Sequence, residues 1–126
     1  MPTILDVTGV SYPTTFRGLV IQPMEGVSLR PTFSGRPIRR TEPLFWEHEG
    51  NRGVRSGHWK LVSRYPDAWE LYDMAADRVE SQDVAARHPA TVKRLAAEWY
   101  AWATRARVDD WKGPRRTNWG DEIAKH

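Results

Sequence analysis

Glu47, His48 and Glu49 are the densest run of potential metal ligands in the chain. In an extended segment, however, His48 points away from both carboxylates, so the three groups cannot converge on one ion without help from elsewhere. His48, Arg55, His58 and Lys60 form a second set, cationic and carried on neighbouring segments. Arg36, Arg39 and Arg40, with Trp46 and Trp59, offer phosphate contacts and stacking rings, the ingredients of nucleic-acid binding. No recognised nucleic-acid module accompanies them and nearby Glu residues offset the charge, so no nucleic-acid partner is expected. Asp77, Glu80 and Asp83 lack the glycine and terminal acid of a calcium loop and read as turn and cap residues. No Cys is present, which excludes a disulfide scaffold, a thiolate zinc site and a cysteine nucleophile within these residues.

The elements that must position these groups fit one domain at most. The chain has 126 residues, 40% apolar and 28% charged, with net charge +3 and seven Trp. That composition argues against wholesale disorder. The charge is uneven: residues 1–64 carry nine basic and five acidic side chains (+4), and residues 65–126 carry ten and eleven (−1). No stretch approaches the roughly 20 apolar residues of a membrane-spanning helix, so no membrane partner is expected.

Residues 3–8 read as a short helix, with Pro2 suited to its start and Gly9 to its C-terminal cap. Residues 10–43 show no sustained period, only recurrent Pro and Gly and a possible helical turn at 28–33. So long an irregular run is abnormal inside a compact domain, and its many apolar side chains need a surface to cover. Residues 1–43 are therefore expected to drape over a larger body. Residues 44–49, 52–55, 58–63 and 69–73 read as four antiparallel strands separated by Gly50-Asn51, Ser56-Gly57 and Tyr65-Pro66-Asp67.

Two-residue turns at the first two breaks set an expected register: Glu49 opposite Arg52 as an ion pair, Glu47 opposite Val54, Trp46 opposite Arg55, Val54 opposite Trp59 and Arg52 opposite Leu61. Phe45, Val54, Trp59 and Leu61 then share the core face. Leu44, Trp46, His48, Arg55, His58, Lys60 and Val62 share the other. Residues 90–107 read as a helix whose stripe of Val92, Leu95, Trp99, Trp102 and Ala106 covers the sheet, and residues 108–126 as an irregular tail. The predicted class is α+β: a four-stranded antiparallel meander packed on one long C-terminal helix, preceded by a short helix and a long irregular segment. Trp46, Trp59, Tyr72, Trp99 and Trp102 are expected to serve structure.

Pro2-Thr-Ile-Leu-Asp-Val-Thr-Gly-Val10, Gly26-Val-Ser-Leu29, Leu44-Phe-Trp-Glu-His-Glu-Gly-Asn-Arg-Gly-Val-Arg55, Trp59-Lys-Leu-Val62 and Glu70-Leu-Tyr-Asp-Met74 resemble, in order, the C-terminal part of arylsulfatases. These are formylglycine-dependent type I sulfatases of the alkaline phosphatase superfamily. The resemblance implies a large N-terminal hydrolase domain, missing here and the expected partner, with residues 44–107 as the smaller C-terminal subdomain. It also implies that Met1 stands where the family has an internal methionine, and that the compartment, cytoplasmic or periplasmic, depends on the missing N-terminus. The family's Cys-x-Pro-x-Arg or Ser-x-Pro-x-Arg motif and its paired acidic calcium ligands have no match. Calcium and formylglycine are therefore expected only in the complete parent, and this chain alone is expected to be inactive, with no catalytic or metal residue of its own. Because the family's small sheet borders the substrate cleft, His48, Arg55 and Lys60 are the expected rim residues, His48 foremost. A free-standing, non-enzymatic binding module derived from that subdomain is the alternative reading.

Overall fold

The computed structural model describes residues 1–38 and 40–113. The chain divides into two compact units, Met1–Arg40 and a second that begins at Thr41.

In the first unit, helix α1 (Pro2–Thr8) starts on a proline and stops where Gly9 turns left-handed (φ 73°). Proline at the first helical turn lacks only an amide hydrogen that would have had no partner there. Arg17 and Gly18 both have positive φ (50° and 79°), which folds strands β1 (Thr15–Phe16) and β2 (Leu19–Val20) into a small hairpin. This hairpin lies inside the run that sequence periodicity leaves irregular, because two-residue strands are too short to show a period. The helical turn near residues 28–33 forms as a 3-10 helix at Arg30–Ser34, closed by Gly35. Arg30 ties it to α1: its Nη1 donates to both the carbonyl and Oδ1 of Asp6 at 3.0 Å, and Leu29 N donates to Thr3 Oγ1 at 3.0 Å. Hydrogen bonds from Ser28 and Arg30 hold the Asp6 carboxyl below its ordinary range.

The second unit is a four-stranded antiparallel sheet in the order β3 (Leu44–His48), β4 (Asn51–Ser56), β5 (Trp59–Ser63) and β6 (Glu70–Asp73), covered on one face by helix α2 (Pro89–Ala106). The α+β class and the meander agree with the sequence reading. The register does not. Trp46 stands opposite Gly53, Glu47 opposite Arg52, and Leu44 opposite Arg55. Across the next pair of strands, Ser56 stands opposite Trp59, Val54 opposite Leu61, and Arg52 opposite Ser63.

Both turns account for the slip. Glu49 and Gly50 have φ of 53° and 80°, so they, and not Gly50-Asn51, make the first turn. Asn51 is drawn into the ladder by its own amide: Nδ2 donates to the His48 carbonyl at 2.9 Å, and Oδ1 accepts from Tyr65 N at 3.0 Å. In the second turn Gly57 takes the left-handed position (φ 58°) and His58 follows it, replacing Ser56-Gly57. Each slip is by two residues, which leaves the paired strand residues on their expected faces, while His58 leaves the strand for the turn. The expected Glu49–Arg52 pairing is nevertheless lost.

The core confirms that the face assignment survives. Val54, Leu61 and Leu71 from the sheet meet Leu95, Trp99 and Ala103 from α2, with Val84 beside them. Phe45 stacks on Trp102 at 5.5 Å between ring centroids. Burying each large apolar side chain contributes about 1.5–3 kcal/mol. Ala103 occupies the buried end of the stripe, whereas Ala106 is half-exposed. Arg107 ends α2 in a left-handed turn, and Val108 N caps the Ala103 carbonyl at 2.9 Å. The predicted tail is described as far as Gly113; residues 114–126, and Arg39 of the arginine group, lie outside the described residues. No described helix is long and apolar enough to cross a membrane.

Candidate functional site

Strand alternation sets Leu44, Trp46, His48, Arg55, Lys60, Val62 and Tyr72 on the sheet face opposite α2. Trp46 is 39% exposed and lies across Gly53, where an added Cβ would come within 2.1 Å of Trp46 Cε2. A bare glycine is thus what allows the indole to lie flat over β4. The Trp46 carbonyl accepts a hydrogen bond from Trp99 Nε1 at 3.0 Å, which ties the edge strand to α2.

The three expected rim residues do not form one cluster. Arg55 and Lys60 are direct cross-strand partners, near the Gly57-His58 turn. His48 is at the far end of β3, four residues from the position opposite Arg55, or about 13 Å at strand rise. Its side chain is 82% exposed, and its Nε2 lies 3.9 Å from Glu49 Oε2. Arg55 Nε donates to the Gly57 carbonyl at 2.9 Å. Lys60 Nζ donates to Glu80 Oε2 at 2.6 Å, so the charge of this half-buried lysine is met within the fold. Beside it, Tyr72 donates to Glu70 Oε2 at 2.6 Å. That hydrogen bond, with burial second, raises the Tyr72 hydroxyl above its ordinary range. The face is therefore mixed in charge at its centre, with its cations at two separated ends.

Two acids of the loop after β6 act as turn residues. Asp77 accepts backbone N–H bonds from Val79, Ser81 and Gln82, which hold its carboxyl below the ordinary range, the bond from Gln82 weighing most. Asp83 Oδ1 accepts from Leu71 N at 2.9 Å and fastens the loop to β6. Glu47 turns back onto Gly50 N at 2.6 Å. Among the described residues no three His, Asp or Glu side chains are grouped to hold a metal ion. The donor set here does not fit the calcium site of a sulfatase, and with no cysteine in the chain there is none to become formylglycine.

Another polar arrangement lies on the other face, around a residue that sequence reasoning treated only as an ion-pair partner. Arg52 Nη1 donates to the Tyr100 hydroxyl and Nη2 to Ser63 Oγ, each at 2.8 Å. Its guanidinium carbon stands 4.6 Å from the Trp69 ring centroid, 5.7 Å from Trp99 and 5.9 Å from Tyr100. Rings in this position attract a cation through their electron-rich faces. A cavity of about 430 Å³ opens here, lined by Glu47, Arg52, Tyr65, Tyr100, Asp109 and Trp111 among others. The available signal was an arginine two positions before Val54, hence on the core face. Of the residues expected to serve structure, Trp99 is buried and Trp59 and Trp102 pack against the core from its margin.

No family model matches the chain. An uncharacterized sulfatase of Schizosaccharomyces pombe is 29% identical over an alignment of 109 positions that covers 81% of this chain and 20% of that protein. Choline-sulfatase of Rhizobium meliloti is 32% identical over an alignment of 91 positions that covers 67% of this chain and 16% of that protein. The chain thus spans about a fifth or less of these curated relatives. Among solved structures, the i-CgsB protein in complex with k-i-k-neocarrahexaose matches with a TM-score of 0.63 and 16% identity, over 98% of this chain and 27% of that one. A structure in complex with its substrate D-glucosamine-2-N,6-O-disulfate matches with a TM-score of 0.56 and 25% identity, over 87% of this chain and 24% of that one. With the residue pattern of 2–74, the two curated relatives identify the chain as the C-terminal portion of a sulfatase, and the solved structures share its fold.

Proposed function

We propose that this chain is the closing and cleft-shaping piece of an arylsulfatase-like sulfuric ester hydrolase, and that it has no turnover by itself. One observation carries the reading: no described side chain of the Met1–Arg40 unit is buried, although Phe16 is 62% exposed and Val20 86%. Surfaces of this kind mark contacts with another body. The partner that fits is the N-terminal hydrolase domain, since the matched segments are only 20% and 16% of the two curated relatives. The nucleophile and the calcium belong, on this reading, to that domain alone.

Within such an enzyme Arg55 and His48 are the groups placed to meet an anionic ester at the rim. His48 has the more exposed side chain and the weaker ties. Lys60, held by Glu80, supports the sheet more than the ester. The test is to translate the DNA upstream of the Met1 codon and assay the extended chain beside residues 1–126. The expected result is an in-frame Cys or Ser motif with an Asp-Asp pair, sulfate release by the extended chain, and none by residues 1–126. An immediate upstream stop, or sulfate release by residues 1–126 alone, overturns the proposal. In the extended enzyme His48→Ala is expected to raise KM; unchanged KM and kcat would remove His48 from the rim.

A further inference from the structure

No further inference is drawn: the strongest candidate, the cavity of about 430 Å³ between the β3–β4 turn and the C-terminal half of α2, selects no single class of ligand, because its arginine, Arg52, is already held by Tyr100, Ser63 and three aromatic rings while Glu47, Asp109 and Asp110 line the remaining wall.

Discussion

The two units are built with the same local devices and end in opposite states. Each has a helix begun on proline and ended on a left-handed residue, and each has a hairpin whose turn uses adjacent positive-φ residues. Only the unit that begins at Thr41 closes a core around Val54, Leu61, Leu71, Leu95 and Trp99. The Met1–Arg40 unit is held by hydrogen bonds among Thr3, Asp6, Leu29 and Arg30, with none of its described apolar side chains fully buried. Turn and cap chemistry fixes a chain path. Burial of apolar area decides whether that path is stable without a partner.

The comparison is most easily broken by truncating one apolar ring in each unit. Trp99→Ala is expected to destabilise the sheet-and-helix unit by about 3–5 kcal/mol, whereas Phe16→Ala changes stability by less than about 0.5 kcal/mol, both read by urea unfolding. Comparable losses would mean that the first unit shares a core with the second. Next, Arg52→Ala should cost about 1–3 kcal/mol through two hydrogen bonds and the ring contacts, with little dependence on salt, whereas breaking the exposed Arg30–Asp6 pair should cost less and respond to salt. Gly53→Ala should force Trp46 off β4 and cost about 1–3 kcal/mol, seen as a change in near-UV dichroism. A flat dichroism signal would show that the indole has room to stay.

Native-state amide exchange should divide the chain along the same line. Amides of β4, β5 and the middle of α2 are expected to exchange only with global opening, and those of residues 10–38 by fast local opening. Uniform protection would make the first unit self-sufficient. The smallest effect is in acid. Asp6 and Asp77, one in each unit, have carboxyls lowered in the folded state from the ordinary 3.8. Their contribution is therefore fully present above about pH 4 and is lost as pH falls through the lower folded values. Carboxyl NMR titration should find both below 3.8; an ordinary value for Asp77 would mean that its loop opens in solution.

Patterns that repeat within a few residues were legible in the sequence. The stripe of α2, the proline and glycine that bound α1, and the alternation of β3 to β5 depend on local periodicity and turn chemistry, and the structure reproduces them. Features decided by distant partners were not legible. The first turn moved to Glu49-Gly50 because Asn51 bonds Tyr65, 14 residues on. Arg52 finds Tyr100 48 residues away, and Lys60 finds Glu80 after 20. The expected rim residues share a face, but parity alone fixes neither their separation along a strand nor which of them the fold neutralises. The β1–β2 hairpin was missed because two residues per strand carry no period.

The position of β3 at the edge of the sheet has a consequence for handling the isolated protein. Among the described residues its outer backbone groups have no neighbouring strand, and its Leu44 and Trp46 are exposed on the face opposite α2. Such an edge is a template on which another chain can add as a fifth strand. Pro43 cannot donate from the position just before the strand, so only part of the edge is available. Concentrated solutions of the chain should therefore assemble by strand addition through residues 44–48, and a lysine at Leu44 should keep them dispersed without touching the core.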